Sequence, residues 1–283
     1  MKKIITIPSN IEEIENTKKQ VDGFIIGIKD MSVNANMYID DLSILGNIDK
    51  DIFVSINKNM HNKDLSYLKE LLIKLNNYNI KGVIYYDVAV LNIYKQLDLN
   101  YDLVWAQEHL TTNYNTINYW NSFGVNYTYV SSDITEEEIK EITKNTNSKI
   151  IVNLFGYLPM FVSKRNIVKN YLEYFNLSDK NSVNYMTKEG KTYPVIDNNI
   201  GTSVYSNNIL NGIRTSLNID VDYIVLNSFK IELNKLKSVI EMFKNVNKNN
   251  VLEYEEKINK YFQNVDNGFL NTKTIYKVKK DEK

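Results

Sequence analysis

The chain contains no cysteine among its 283 residues, and this absence excludes several classes of chemistry. A thiolate nucleophile, a disulfide, a Cys-ligated zinc ion and an ordinary iron–sulfur cluster all depend on that side chain. Chemistry of these kinds would have to come from a partner. We therefore expect the chain itself to bind no cofactor and no iron–sulfur cluster.

Long apolar runs are missing as well. The start, MKKIITIPSN, has two lysines but only a short apolar stretch that Thr6 interrupts, which is too short for a secretory signal. No run of about 18 consecutive apolar residues, the length of a membrane-spanning helix, occurs anywhere. The sequence therefore predicts a cytoplasmic protein without a membrane partner.

Arginine is scarce, since only Arg165 and Arg214 occur, whereas 42 residues are Asn. We interpret the Asn and Lys content as codon bias, so the two arginines stand out against it. The 34 basic side chains balance 34 acidic ones. This balance disfavours broad coating by nucleic acid but leaves a local basic patch open.

Short β-branched runs alternate with amphipathic stretches, a pattern typical of βα units around a parallel sheet. The predicted strands are residues 4–7, 23–28, 51–57, 82–87, 103–107, 127–131, 149–155 and 221–226. A single barrel of about 250 residues fits this length. The predicted fold is therefore α/β, a TIM-barrel-like (β/α) barrel of eight strands.

The alternation breaks after the seventh strand. Three β-like runs with turn residues between them follow, at 183–187, 192–196 and 202–205. Residues 177–206 are therefore predicted to form a β-meander inserted before the last strand. Residues 1–176 would form the first seven βα units, and residues 207–283 the last barrel strand and C-terminal helices, beginning with a helix near 208–217.

Two helix starts show the capping-box pattern, Ser9 with Glu12 and Thr135 with Glu138. In this motif the hydroxyl and the carboxylate three residues later satisfy backbone amides that the first turn leaves unpaired. Helices are therefore expected directly after Ser9 and Thr135.

Both histidines of the chain follow predicted strand ends, and they define a first candidate site. The carboxyl ends of barrel strands line the mouth where active sites of this fold lie. The residues expected there are Asn57, His61, Asp87, Glu108 and His109. A surface or helix-capping role is the alternative for either histidine. The spacing selects no set of metal ligands, so no metal site is predicted.

A second candidate stretch, residues 156–166, interleaves aromatic side chains with Lys164 and Arg165. Stacking and phosphate contacts are both available to such a run. The guanidinium of Arg165 is a planar fork for carboxylate or phosphate, and Ser163 stands just before it at an expected helix start. The alternative is a solvated helix start in which Arg165 pairs with an acidic side chain.

Several segments together resemble one known family. They are the opening βα unit, residues 102–114 (DLVWAQEHLTTNY), Asn118-Tyr119-Trp120, residues 135–142, residues 156–165 and Tyr193-Pro194-Val195. These segments are similar to peptidase family U32, the collagenase-like proteases, over roughly residues 1–230. The resemblance adds Thr112 and Asn113 to the substrate-binding candidates.

The resemblance implies a role in hydroxylation. Better-understood members support formation of 5-hydroxyuridine at the tRNA wobble position, hydroxycytidine in ribosomal RNA, or oxygen-independent ubiquinone hydroxylation. Many hold a four-iron cluster through cysteines, and two of those positions correspond here to Pro159 and Asn166. The chain resembles the short cysteine-free type that occurs beside a longer, cysteine-bearing relative.

Three functions therefore stand as hypotheses. The first is a tRNA uridine hydroxylation factor, either a substrate-binding subunit or the partner of a cysteine-bearing relative. The second is a peptidase in which Asp87 or Glu108, with His109, activates water. The third is a non-catalytic barrel that holds a small anionic metabolite against Arg165.

Overall fold

The computed structural model describes residues 2–107, 109–178 and 183–272. Its strands are β1 (Lys3–Ile7), β2 (Gly23–Ile28), β3 (Tyr38–Ile39), β4 (Asp51–Ile56), β5 (Gly82–Tyr85), β6 (Asp102–Ala106), β7 (Tyr127–Tyr129), β8 (Lys149–Ser163), β9 (Asn184–Lys188), β10 (Lys191–Asn198), β11 (Gly201–Asn211), β12 (Tyr223–Asn227) and β13 (Val265–Asp266). Its α-helices are α1 (Ile11–Thr17), α2 (Leu65–Leu75), α3 (Val88–Tyr94), α4 (Tyr114–Ser122), α5 (Glu136–Asn145), α6 (Ile167–Tyr174), α7 (Thr215–Asn218), α8 (Leu233–Asn245) and α9 (Val251–Tyr261). Short 3-10 turns cover Leu42–Asn47 and Asn62–Asp64.

Eight parallel strands close into a barrel. Their order around the ring is β12, β1, β2, β4, β5, β6, β7 and β8, and β8 pairs with β12 to complete it. Strands β3, β9, β10, β11 and β13 lie outside the ring. The predicted TIM-barrel-like fold is confirmed.

Side chains that point into the barrel change character from its amino end to its mouth. On β4, Asp51 accepts a hydrogen bond from the Tyr223 hydroxyl at 2.8 Å and pairs with Lys3 at 2.6 Å. One level up, the Phe53 ring packs edge-on against the rings of Tyr127 and Tyr223, at 5.9 and 5.2 Å. Because strand side chains alternate between faces, the next inward residue after Phe53 is Ser55, at the mouth.

Helices cover the outside of the barrel with apolar stripes. Leu68, Leu72 and Leu75 of α2 are fully buried, as are Ile139 and Ile142 of α5. Period-3.6 spacing places these residues on one face of each helix. The main core therefore lies between the barrel and its helices.

Among the described helices, none combines the length and apolar character that a bilayer crossing requires.

The two predicted capping boxes differ in outcome. Thr135 Oγ1 accepts from the Glu138 amide, while the Glu138 carboxylate accepts from the Thr135 amide at 2.7 Å, so this box is confirmed. The box of Ser9 with Glu12 is wrong by one residue. Asn10 caps α1 by accepting from the Glu13 amide at 2.9 Å, and the Glu13 carboxylate accepts from the Ser9 amide at 3.1 Å.

Strand β8 is far longer than predicted, because it continues beyond the barrel to Ser163. Its first half pairs with β7 and β12, and its second half pairs antiparallel with β11. The helix expected near 208–217 is wrong in its first half. Ile209, Leu210 and Asn211 belong to β11 and pair with β8, and only Thr215–Asn218 is helical.

The antiparallel strands β9, β10 and β11 extend the sheet next to β8, as the predicted meander implies. This extension packs on the loop after β2. The Asn198 side-chain amide donates to the Val33 carbonyl at 2.9 Å and to the Tyr38 hydroxyl at 3.2 Å. The extension is therefore held against the mouth of the barrel.

Gly156 is the residue at which β8 leaves the barrel. Its φ is +104°, a conformation that side chains rarely adopt, and an added Cβ would lie 2.2 Å from the Asn227 carbonyl oxygen. Gly124 also has positive φ, +83°, but nothing lies within 4 Å of its Cβ position. Substitution of the two glycines therefore separates the free-energy cost of a positive φ from that of the steric clash.

Alanine substitutions should reveal that difference in urea unfolding. Gly124→Ala should lower the free energy of unfolding by about 1 kcal/mol, the cost of positive φ alone. Gly156→Ala should lower it by at least about 3 kcal/mol, because β12 must also move. Equal losses in the two variants would contradict this account of the β8 departure.

Candidate functional site at the barrel mouth

A cavity of about 380 Å³ opens at the carboxyl end of the barrel. Its floor is apolar, and Ile7, Ile25, Ile84 and Ala106 belong to it. Small-molecule sites in proteins have comparable volumes and lie at this end of the fold. The barrel therefore provides one enclosed place for a ligand.

The wall of the cavity is rich in amides and hydroxyls. Its polar lining includes Asn34, Asn36, Ser55, Asn57, Tyr86, Gln107, Tyr129, Ser131, Ser132, Asn153, Ser206, Asn207, Asn208 and Asn227. The charged groups that join them are the carboxylates of Asp133 and Asp266, with His109 as the titratable neighbour. No lysine or arginine of the described residues contributes to the lining.

Asn57 fastens the loop after β2 to the mouth. Its side-chain oxygen accepts from the amides of Val33 and Asn34, at 2.7 and 3.1 Å. Its side-chain nitrogen donates to the Asn34 carbonyl at 2.6 Å and to Ser55 Oγ at 3.1 Å. All of its hydrogen-bonding capacity on these atoms is thus directed to the protein, and the loop is held in one place.

Two further side chains stabilise the same loop and the neighbouring strand ends. Asn36 donates to the Ile7 carbonyl at 2.6 Å and to the Asn227 side-chain oxygen at 2.8 Å. The Tyr38 hydroxyl donates to the Val33 carbonyl at 3.0 Å. Burial raises the pKa of this phenol, so it remains a neutral donor.

His109 lies at the rim of the cavity and pairs with Asp133. Its Nδ1 is 2.9 Å from the Asp133 carboxylate, and both side chains are exposed, 66% and 47% respectively. A carboxylate at Nδ1 favours the tautomer that leaves Nε2 as an acceptor. The pair could therefore orient the imidazole toward a ligand at the mouth.

Asp87 and His61, two other residues of the first predicted group, lie at the same end of the barrel but outside the cavity lining. Asp87 caps α3, and its two oxygens accept from the amides of Ala89 and Met60 at 2.9 and 2.8 Å. His61 caps the short 3-10 turn, with its Nε2 3.3 Å from Lys164 Nζ. Glu108 is not among the described residues. The structure thus brings Asn57 and His109 together at the cavity.

The second predicted group stands farther out, at the end of β8. Ser163 Oγ accepts from the Arg165 amide at 3.1 Å, and the Arg165 carbonyl accepts from Thr202 Oγ1 at 2.6 Å. The Arg165 side chain is exposed, and no acidic side chain of the described residues pairs with it. Arg214, by contrast, forms an ion pair with Glu255.

The two candidates that the family resemblance added lie before α4. Asn113 caps this helix by accepting from the Thr116 amide at 2.9 Å. Thr112 is half-buried next to it. Neither residue lines the cavity.

Most of the amide wall escaped prediction. Asn207 and Asn208 reach the cavity because β11 bulges there, with three residues between Tyr205 and Ile209 opposite the single residue between Pro159 and Tyr157 on β8. The amino-acid pattern Ser206-Asn207-Asn208, polar within a strand, is the signal that could have indicated such a bulge. Asn153, at an inward position of the predicted strand 149–155, could have been found from strand alternation, and Asn227 directly follows the predicted strand 221–226.

Comparison with known proteins now identifies the family. The sequence model of peptidase family U32 matches residues 33–279. The chain belongs to this family. The resemblance found in the sequence is therefore confirmed.

Two curated relatives come from Bacillus subtilis (strain 168). The tRNA hydroxylation protein P2 is 26% identical over 254 residues, which cover 80% of this chain and 81% of that protein. The tRNA hydroxylation protein P1 is 20% identical over 121 residues, which cover 43% of this chain and 29% of that protein.

Among solved structures, that of the U32 peptidase Mk0906 is similar, with a TM-score of 0.51 and 9% identity. The match covers 80% of this chain and 92% of that one. At this identity the likeness concerns the fold alone, and it agrees with the barrel described above.

Substitution of Asn57 should test its role in holding the mouth. Asn57→Ala removes the acceptor of the buried Val33 amide and all four hydrogen bonds of the Asn57 side chain, so the free energy of unfolding should fall by about 3 kcal/mol. Asn113→Ala, which removes an ordinary helix cap, should cost about 1 kcal/mol. Urea unfolding measures both, and a smaller loss for Asn57→Ala than for Asn113→Ala would refute this role.

Proposed function

We propose that this protein acts in tRNA wobble uridine 5-hydroxylation in the cytoplasm. The observation that carries the proposal is the similarity to tRNA hydroxylation protein P2, which extends over four fifths of both chains. Similarity over most of both lengths includes the barrel and its antiparallel extension, rather than one shared motif. The proposal therefore concerns the whole chain.

The chain would act as a cluster-free component of this reaction. It has no cysteine to hold iron and sulfide, so a redox cluster would have to belong to another protein. The shorter match to tRNA hydroxylation protein P1 is consistent with relatives of different length in the same process. A cysteine-bearing relative is therefore the partner that we propose.

The distribution of charge at the mouth favours an RNA at its outer edge. The Arg165 guanidinium and the Lys164 ammonium are exposed at the end of β8, where a phosphate can reach them. The Arg165 amide is held by Ser163 Oγ, which fixes the backbone of this turn. We propose that Ser163, Lys164 and Arg165 contact the tRNA backbone.

The peptidase alternative rests on His109, which has a carboxylate partner in Asp133. Asp87 is a weak candidate for the base of that reaction, because both of its oxygens already accept from backbone amides. Incubation of the pure protein with casein and denatured collagen separates the two functions. Cleavage that is lost in His109→Ala would favour the peptidase.

Deletion of the gene should remove the modification. Nucleosides from the tRNA of the deletion strain, analysed by mass spectrometry, should lack 5-hydroxyuridine and its derivatives, and the intact gene on a plasmid should restore them. Undiminished 5-hydroxyuridine in the deletion strain would refute the proposed function. Loss that the gene cannot restore would refute it as well.

Arg165→Lys should abolish tRNA hydroxylation in complemented cells, because lysine retains the charge but loses the bidentate fork. The melting temperature should remain within about 1 °C of the wild type, since an exposed side chain without an ion pair contributes little to stability. Arg214→Lys is the matched control, and it should retain hydroxylation. Full activity of Arg165→Lys would contradict the assigned contact.

A further inference from the structure

The charges of the lining limit the class of ligand that the mouth cavity can bind. Asp133 and Asp266 bring carboxylates to the wall, whereas no lysine or arginine of the described residues lines it. An anion that entered would lose its hydration without gaining a cation, which is unfavourable. The cavity therefore favours a neutral ligand, and the anionic metabolite of the third hypothesis fits it poorly.

The shape and chemistry of the lining point to a flat ring. The floor of Ile7, Ile25, Ile84 and Ala106 is apolar, and the aromatic side chains of Tyr86 and Tyr129 line the cavity at the ends of β5 and β7, on either side of β6. Apolar and aromatic surfaces of this kind hold a base that has been turned out of a nucleic acid. A neutral heterocycle matches such a surface better than a flexible chain does.

Hydrogen-bonding capacity remains available on the amide wall. Asn36 and Asn207 both use their side-chain nitrogens within the protein, Asn36 on Ile7 and Asn227, and Asn207 on the Asn208 side-chain oxygen at 2.7 Å. No described residue donates to the side-chain oxygen of either. The side-chain oxygens of Asn36 and Asn207 are thus available to accept hydrogen bonds from a ligand.

The side chain of Asn153, by contrast, is satisfied within the protein. In the orientation that satisfies its surroundings, its nitrogen donates to the carbonyls of Val225 and Phe155, at 3.0 and 3.2 Å, and its oxygen faces donors. Asn153 is only 5% exposed, so its amide belongs to the wall without offering a further acceptor.

We propose that this cavity is the pocket for one uracil base turned out of the RNA, an inference that rests on the proposed function. The single ring donor, N3–H, donates to a side-chain amide oxygen of the wall, and the ring packs on the apolar floor between the tyrosines. The phosphates remain outside, where Lys164 and Arg165 are exposed. In this proposal the neutral cavity binds the base, and the cationic outer edge binds the phosphates.

Saturation-transfer NMR with free uridine tests the pocket on the pure protein. Magnetisation should reach H5 and H6 of the uracil ring more strongly than the ribose protons, because the ring is the part enclosed. Absence of transfer at millimolar uridine, or transfer to the ribose alone, would overturn the proposal.

Two variants locate the binding. Asn207→Leu removes one acceptor and should weaken uridine binding about tenfold, whereas the exposed Asn249→Leu should leave it unchanged. Ala106→Met fills the floor and should abolish transfer, which keeps the test decisive if Asn207→Leu folds poorly. Equal binding by the wild type, Asn207→Leu and Ala106→Met would overturn the proposal.

The same variants distinguish this inference from the proposed function. Ring transfer in a protein whose deletion leaves 5-hydroxyuridine intact would support the pocket and refute the function. Loss of 5-hydroxyuridine on deletion, together with full restoration by Ala106→Met, would support the function and overturn the pocket.

Discussion

The mouth of this protein depends on one strand that belongs to two sheets. Strand β8 closes the barrel by pairing with β7 and β12, and beyond Gly156 it becomes the inner strand of the antiparallel extension. The close approach of Gly156 to the Asn227 carbonyl lets the strand turn away at the barrel rim. The continuous backbone therefore fixes the position of the extension relative to the cavity, and no hinge is needed between them.

Strand side chains alternate between the inside and the outside of the barrel, and the type of inward side chain changes from the amino end of the barrel to its mouth. The inward residues of β4 are Asp51, Phe53 and Ser55, and Asn57 directly follows the strand. On β12 the inward residues Tyr223, Val225 and Asn227 likewise end in an amide at the mouth. The charged side chains at the amino end are paired and the side chains in the middle of the barrel are apolar. Only the polar side chains near the mouth therefore face the cavity. Closure of the barrel thus produces a mouth rich in amides.

The barrel could be predicted from the sequence because each strand is a β-branched run followed by a helical stripe, and local patterns of this kind survive in the fold. The extension of β8 could not, because Gly156 and Pro159 resemble a strand end until the partner strand β11 is known. The expected helix near 208–217 failed for the same reason. Ile209 and Leu210 obtain burial from pairing with β8, and a local pattern carries no information about that partner.

Of the site residues predicted from strand ends, two line the cavity, and their functional role stays a prediction. Strand ends placed Asn57 and His109 at the cavity, since the carboxyl ends of parallel strands meet there. Polar residues at the same ends also cap helices, and Asp87 and Asn113 have that role. A sequence does not separate the two uses, because both need a short polar side chain directly after a strand or loop.

The two arginines of the chain differ in their surroundings. Arg214 is held by Glu255, whereas the Arg165 guanidinium has no acidic partner among the described residues. An exposed guanidinium without an ion pair contributes little to the stability of the fold, which is consistent with the ligand contact proposed for Arg165. The mouth cavity is lined by carboxylates and by no lysine or arginine of the described residues, so a ligand that contacted both Arg165 and the cavity would place its charge outside and its neutral part within. A nucleotide has this division of charge, which is why the outer edge and the mouth are best understood as one binding surface.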